Sequence, residues 1–93
     1  CDALLAPTPG ELTFAINQSR VAGGLVVTDD EVRVAMAFAF ERLRLVLEPG
    51  GAVALAAVLA GKVATHYQQV AVVLSGGNVD PVTFRESCQL GSE

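Results

Sequence analysis

The residues most able to take part in chemistry are a serine, two glycines and an asparagine that follow an apolar run. Residues 70–74 (Val-Ala-Val-Val-Leu) are typical of a strand buried on both faces of a parallel sheet, and Ser75-Gly76-Gly77-Asn78 follow directly. In open α/β sheets, ligands bind at the carboxyl ends of strands, and glycines there let a flat ligand approach the backbone. The same residues are also ordinary turn formers, so a tight turn is the alternative interpretation.

A second candidate is the segment Glu48-Pro49-Gly50-Gly51, which precedes an apolar helix. Two glycines at a helix start can cradle an anion, and a turn with close helix packing is the alternative. Packing explains Glu48 less well, because a carboxylate beside an apolar helix costs free energy unless it has a partner.

The other ionisable residues suggest structural roles. The only histidine, His66, has no Cys, Asp or Glu nearby and is typical of a surface residue. The only lysine, Lys62, follows Gly61 at a helix end, where the helix dipole stabilises a positive charge. Helix capping explains the acidic run 29–31 better than metal binding does, and no metal-ligand spacing occurs. We therefore expect no metal site.

The elements that must position these residues alternate between helix and strand. Capping boxes are predicted at Thr8 with Glu11 and at Thr28 with Glu31, and Asp80 is predicted to cap the last helix. The predicted elements are helix 9 to about 22 ended by Gly23-Gly24, strand 25–27, helix 28 to about 46, a turn at 47–51, helix 52–60 ended by Gly61, strand 70–74, and a short helix from Pro81 toward Cys88. This alternation predicts an α/β layer structure with parallel strands.

Two of these helices are predicted to be covered on more than one side. The longest has an apolar stripe formed by Val32, Met36, Ala39, Leu43 and Val46, opposite a narrow solvent face of Arg33, Ala37, Glu41 and Arg44. The helix over 52–60 is apolar all round, which indicates burial.

Length and composition restrict the class of protein. The 93 residues allow one domain at most, and 52% of them are hydrophobic. A chain this short buries only about 60–65% of its unfolded surface, so we infer that more protein covers part of it. A net charge of −4 argues against nucleic-acid binding, and no apolar stretch approaches the roughly 20 residues that span a bilayer.

The chain ends and the cysteines add two expectations. The first residue is Cys1 and not Met, so truncation is a possible origin of the sequence. No signal peptide is visible. Cys1 and Cys88 have no CxxC partner, which is typical of thiols in a reducing compartment.

Four segments in fixed order resemble one enzyme family. They are Thr-Pro-Gly-Glu-Leu-Thr at 8–13, Val-Thr-Asp-Asp-Glu at 27–31, Glu-Pro-Gly-Gly-Ala at 48–52 and Val-Leu-Ser-Gly-Gly-Asn-Val-Asp at 73–80. Together they resemble the C-terminal part of the pyridoxal-phosphate-dependent threonine/serine dehydratase and serine racemase family, which has the tryptophan-synthase-β fold type.

The resemblance implies a fold and a domain. The expected fold class is α/β, the C-terminal portion of the large domain of a fold-type II enzyme, with a partial parallel sheet and flanking helices. Residues 1–93 would form one C-terminal segment of the catalytic domain. The Schiff-base lysine of the family lies upstream in a Ser-x-Lys motif, which does not occur here, and Lys62 has the wrong context. We expect no catalytic residue in this segment, and an isolated chain that is inactive.

The resemblance also implies site residues. It places Ser75 against the pyridine nitrogen of pyridoxal 5′-phosphate, with Gly76 and Gly77 shaping the site and Glu48 near the ring. In racemase-like members, Asn78 and Arg44 would lie at a nucleotide effector site.

The implied function is the elimination of water from a hydroxy amino acid, threonine or serine, which yields a 2-oxo acid and ammonia in the cytoplasm. The expected partners are the rest of the parent polypeptide and further copies of it, without nucleic acid or membrane. Two alternatives remain. One is a serine racemase or a 3-hydroxyaspartate dehydratase/racemase of the same family, and the other is a non-catalytic α/β remnant that binds a protein partner.

Overall fold

Helices make up the regular structure of residues 10–92, which are the residues that the computed structural model describes. They are α1 (Glu11–Asn17), α2 (Asp29–Leu43), α3 (Pro49–Leu59) and α4 (Pro81–Ser92). Helix α2 packs against both α3 and α4, whereas α1 contacts none of the other three helices. None of these helices is long and apolar enough to cross a membrane.

The core lies where α2 meets α3, and it is built mainly from small side chains. Met36 is its largest fully buried residue. The other buried core residues are Val32, Ala35, Ala39, Leu47, Ala52, Leu55 and Ala56. Val27, Val72 and Leu74 pack against this cluster from outside the helices. The segments 25–27 and 70–74 therefore also reach the core.

Three of the predicted helix caps are confirmed. Glu31 N–H donates to Thr28 Oγ1 at 3.2 Å while Thr28 N–H donates to Glu31 Oε1 at 2.8 Å, which is a complete capping box. Thr83 N–H donates to Asp80 Oδ2 at 3.0 Å at the start of α4. Gly61 ends α3 with φ 73°, in the left-handed conformation that a glycine adopts without strain.

The predicted parallel sheet is not confirmed, because residues 10–92 contain no β-strand. Among the residues that the structure describes, the segments 25–27 and 70–74 form no backbone–backbone hydrogen bonds. Residues 70–74 are also not buried on both faces, since Val72 and Leu74 pack against the core while Val73 is 76% exposed. The side chains alternate as in a strand, but no neighbouring strand pairs with this segment in the described part of the chain.

The first helix is shorter than predicted. Its N-cap is Gly10, and it ends at Asn17, so Gly23-Gly24 do not terminate it. The predicted cap Thr8 and the predicted first residue Pro9 lie outside the described residues. No residue of α1 is buried, so no tertiary packing extends a helix that is marginal at this length.

The junction between α2 and α3 also differs from the prediction. Helix α2 ends at Leu43 instead of near residue 46, and Arg44 adopts the left-handed conformation with φ 57°. This break brings Leu47 into the core. Residues 49–51, the last three of the predicted turn at 47–51, form the first turn of α3. Pro49 is at its start, where a proline has no N–H to leave unsatisfied.

The faces of the helices are covered differently from the prediction. Ala37, assigned to the solvent face of α2, is buried, and Leu43 and Val46 of the predicted stripe are about half exposed. Helix α4 crosses α2 so closely that a Cβ at Gly91 would collide with the Arg33 carbonyl oxygen. Helix α3 is buried on one side only, because Ala54 and Leu59 are exposed.

The chain exposes more surface than a compact domain of its mass. Its accessible area is 7026 Å², against about 5100 Å² for a compact 9.6 kDa monomer. Its radius of gyration is 14.2 Å, against about 12 Å for a compact domain of this length. Exposed large apolar residues include Leu12, Phe14, Val26 and Val73.

Candidate functional site

The 75–78 loop (Ser75-Gly76-Gly77-Asn78) lies against the start of α3. The N–H of Glu48, the residue before α3, donates to Gly76 O at 3.0 Å. Gly77 lies against Val46 on the same connection. The structure therefore brings the two candidate segments together, the 75–78 loop and the start of α3.

Two glycines, Gly51 and Gly77, allow this close approach. A Cβ at Gly51 would lie 2.5 Å from Gly76 O and 2.9 Å from Gly76 N, and a Cβ at Gly77 would lie 2.5 Å from Val46 O. Both positions are occupied by backbone, so neither accepts a side chain without movement of the chain. The glycines therefore hold the loop on α3, and this packing accounts for them without any ligand.

Glu48 links the loop to the helix through its side chain as well. It is half-buried and caps α3 in an extended conformation, although its carboxylate accepts no capping hydrogen bond. Its Oε1 lies where a Cβ of Gly76 would be. A carboxylate at a helix N-terminus interacts favourably with the helix dipole. The helix dipole and the contact with Gly76 therefore explain why an acidic residue precedes an apolar helix.

Ser75 lies at the open side of this arrangement. Its side chain is exposed, and its hydroxyl has no hydrogen-bond partner among residues 10–92. Leu74 before it packs against the core, and Val79 N–H donates to Gly77 O at 3.0 Å after it. The hydroxyl is therefore available to a ligand on a loop that is held on both sides.

Arg44 and Asn78 both lie near the contact between Val46 and Gly77. Arg44 is two residues before Val46, and Asn78 follows Gly77. Both side chains are exposed. A cation after the last residue of α2 is favourable for the helix dipole, which explains Arg44 without an effector.

Lys62 has a structural role that its place in the sequence does not indicate. Its Nζ donates to Val26 O at 2.6 Å and to Glu31 Oε1 at 2.7 Å, which joins the segment after α3 to the segment at the start of α2. The C-terminus of α3 is capped by the backbone N–H of Lys62 instead of its side chain, and this N–H donates to Ala57 O at 3.0 Å. The hydrogen bond from Lys62, with a second one from the Thr28 N–H, lowers the pKa of Glu31.

The remaining reactive side chains form no site of their own in the described part of the chain. His66 stacks against Tyr67 with ring centroids 4.2 Å apart. Burial, together with the nearby Glu41 carboxylate, raises the pKa of the Cys88 thiol. No three His, Cys, Asp or Glu residues among those described could hold a metal ion. Cys1 lies outside the described residues.

Comparison with curated proteins identifies relatives over most of the chain. It is 41% identical over 81 residues to a serine racemase of Dictyostelium discoideum, with 85% of this chain and 25% of the relative covered. It is 38% identical over 79 residues to an L-threonine ammonia-lyase of Thermotoga maritima, with 85% and 20% covered. A phenylserine dehydratase of Ralstonia pickettii is 36% identical over 91 residues, with 97% and 28% covered.

The match to the phenylserine dehydratase spans nearly every residue, so it includes Glu48 and the 75–78 loop. No family model and no solved structure matches the chain. The relatives nevertheless confirm the resemblance seen in the four sequence segments. The chain belongs to the threonine dehydratase and serine racemase family, and it spans between 20% and 28% of the length of these three relatives.

Proposed function

We propose that residues 1–93 are the C-terminal segment of the large domain of a pyridoxal-phosphate-dependent hydroxy-amino-acid dehydratase. The parent enzyme would act on threonine or serine and release a 2-oxo acid and ammonia. The observation that carries this proposal is the 38% identity to an L-threonine ammonia-lyase over 85% of the chain. We place the parent enzyme in the cytoplasm as a homo-oligomer.

The residues of the 75–78 loop fit the pyridine nitrogen of pyridoxal 5′-phosphate. Ser75 offers an exposed hydroxyl without a partner in the described chain. The backbone behind it is held by the hydrogen bond from Glu48 N–H to Gly76 O and by the tight contacts of Gly51 and Gly77. A hydroxyl on an anchored loop can be aimed at one ring atom. When bound, the cofactor supplies an electron sink for the α-carbon of the substrate.

Ser75 would bind the ring nitrogen without protonating it. A serine hydroxyl does not release its proton near neutral pH, so it donates a hydrogen bond and keeps the proton on Oγ. A neutral ring nitrogen makes a weaker electron sink than one paired with a carboxylate. This favours elimination, in which the departing hydroxyl group takes up the electrons.

Glu48 would orient the loop under the ring, since its carboxylate already lies against Gly76. Asn78 and Arg44 are proposed as the nucleotide effector site on the resemblance to racemase-like members, and both side chains are exposed. Lys62 is not assigned to the cofactor, since its Nζ is held by Val26 O and Glu31. The lysine that carries the cofactor would come from the rest of the polypeptide.

A second candidate function is serine racemisation, which the 41% identity to a serine racemase favours. The two activities differ in their products. A racemase releases D-serine, whereas a dehydratase releases ammonia and a 2-oxo acid. The same ammonia assay with 3-hydroxyaspartate in place of threonine tests that substrate.

The test uses a chimera in which this chain replaces the matched 79-residue segment of the Thermotoga maritima relative. We expect it to release ammonia from L-threonine. Ser75→Ala should lower that rate about tenfold to a hundredfold, because an unpaired buried acceptor costs about 1–3 kcal/mol. The absorbance of the bound cofactor should persist.

The matched control is Ser19→Ala, which removes an exposed hydroxyl outside the site and should leave the rate unchanged. Ser75→Asp should raise racemisation relative to elimination, since a carboxylate favours a protonated ring nitrogen. If elimination is unchanged in both Ser75 variants with cofactor still bound, Ser75 is only a turn residue and the assignment is wrong.

A further inference from the structure

A small cavity lies between the first turns of α2, the start of α3 and one face of α4. The residues that line it include Asp29, Val32, Arg33, Met36, Pro49 and Ser87. Its volume is about 170 Å³, and an apolar cavity of about 150 Å³ is large enough to bind benzene. The cavity therefore has room for a small organic molecule. We call it the α2–α4 cavity.

Ser87 is the residue that indicates a ligand in the α2–α4 cavity. It is 9% exposed, and it is the only polar residue that is buried among residues 10–92. Its hydroxyl has no hydrogen-bond partner among those residues. Every side-chain oxygen that those residues enclose completely does have a partner, so the Ser87 hydroxyl opens onto the cavity. Since buried hydroxyls are normally hydrogen-bonded, this one requires a partner inside the cavity.

Two opposite charges lie at the cavity on one face of α2. Asp29 and Arg33 are four residues apart, which makes their side chains neighbours on the helix. They do not pair with each other: Arg33 Nη1 donates to Asp30 Oδ1 at 2.7 Å, and Asp29 has no ion pair among the described residues. A guanidinium has further N–H groups to donate after one such bond. The cavity therefore offers a free carboxylate beside free guanidinium N–H groups.

The α2–α4 cavity opens on a polar face of the described chain. Asp29, Asp30 and Thr83 are all exposed around it. The exposed apolar residues that further protein would cover are on other segments, for example Val26 and Val73. A small solute can therefore reach the cavity from solvent.

We propose that the α2–α4 cavity binds a small free amino acid. Asp29 accepts hydrogen bonds from its ammonium group, and Arg33 and Ser87 donate to its carboxylate. Its side chain lies against Val32 and Pro49, which are apolar and line the same cavity. The site does not depend on the proposed function, because none of its residues is among those assigned to the cofactor or to the effector.

The pattern of charge favours a ligand that carries both charges over one that carries a single charge. An anion alone would bind Arg33 and Ser87 but would face the unpaired carboxylate of Asp29. A cation alone would bind Asp29 but would leave the Ser87 hydroxyl and the Arg33 N–H groups without an acceptor. Only a zwitterion satisfies both sides of the cavity.

The experiment titrates the full 93-residue chain with L-alanine, which is small and has no hydroxyl group to eliminate. Met36 is the only methionine of the chain and lines the cavity, so a carbon-13 methyl label on methionine gives one NMR signal that reports on binding. At low micromolar protein we expect this signal to shift with a Kd of about 1 mM, an ordinary affinity for so small a ligand. Propionate and ethylamine each lack one of the two charged groups, and each should bind about tenfold more weakly.

Three variants and a matched control locate the site. Arg33→Gln and Ser87→Ala each remove a donor to the carboxylate, so they should weaken L-alanine binding about tenfold and about fivefold. Asp29→Asn should weaken L-alanine binding about tenfold and should not weaken propionate binding. Arg85→Gln removes an exposed arginine of α4 that does not line the cavity, and it should leave the Kd unchanged.

If the isolated chain gives the signal of an unfolded methionine, the same titration is made in the chimera described above, where Met36→Leu identifies the signal. The inference is overturned by no shift of the Met36 signal with L-alanine, by propionate binding as tightly as L-alanine, which would mean an anion site only, or by equal effects of Arg33→Gln and Arg85→Gln. A chimera without a folded Met36 signal also overturns it. The proposed function fails separately, since L-alanine binding without ammonia release by the chimera contradicts the function and leaves the cavity site in place.

Discussion

Replacing Gly51 with alanine should push the 75–78 loop away from α3. The new Cβ would lie 2.5 Å from Gly76 O and 2.9 Å from Gly76 N, where ordinary contacts begin at 3.4 Å. The obstacle is backbone, so the loop has to move by nearly 1 Å to make room. Overpacking of this kind costs about 1–3 kcal/mol, and the better helix propensity of alanine returns up to about 1 kcal/mol. We expect a net loss of about 1–2 kcal/mol.

For the other glycines, the expected loss of stability on substitution by alanine depends on which atom the new Cβ would meet. Gly77→Ala meets Val46 O, which is also backbone, and gains nothing from helix propensity, so it should cost about 1–3 kcal/mol. Gly76→Ala meets only the carboxylate of Glu48, which can rotate away, so it should cost less than either. Gly24→Ala has open space around it and should be neutral or stabilise by up to about 1 kcal/mol.

Urea unfolding of the 93-residue chain at low micromolar concentration, followed by far-UV circular dichroism, measures these differences. With a slope of about 2 kcal/mol per molar urea, a loss of about 1–2 kcal/mol moves the midpoint by roughly 0.5–1 M. If Gly51→Ala and Gly24→Ala unfold at the same urea concentration, or if Gly76→Ala is the most destabilised, the loop does not pack on α3 as described.

Further predictions concern the isolated chain. It should release no ammonia from threonine above a buffer control, because its one lysine is held by Val26 O and Glu31. It should self-associate at tens of micromolar, because large exposed apolar patches promote association, and a monodisperse monomer in sedimentation velocity would contradict this. Lys62→Met should lower the urea midpoint more than Arg33→Met, since the Arg33–Asp30 pair joins only neighbouring turns of α2. The pKa of Glu31 is lowered in the folded state, so its stabilisation is present above the ordinary glutamate pKa of about 4.3 and is lost as the pH falls through the lowered value. Lys62→Met should therefore flatten the fall in the urea midpoint between pH 6 and pH 3.

The family was evident from the sequence, because four segments in fixed order carry that information without any folding. The caps at Thr28, Gly61 and Asp80 were predictable for a related reason. Each of them depends on atoms within five residues along the chain, so local sequence determines them.

The sequence also placed Glu48 and the 75–78 loop among the candidate site residues, but it did not show that they touch. That contact joins residues nearly thirty positions apart, and it depends on Gly51 and Gly77 having no side chains. The long-range bonds of Lys62 to Val26 and Glu31 were missed because no short-range pattern marks them.

What the sequence determined by itself was the family, the caps and the apolar character of residues 25–27 and 70–74. Tertiary structure decided the rest. Helix α1, in which no residue is buried, stops at Asn17, and α2 stops at Leu43, shortly before Leu47 enters the core. The sheet was predicted from residues that favour strands, but a strand exists only when a neighbour pairs with its backbone. Within residues 10–92 no such neighbour is present, so the strand-like segments line an open groove.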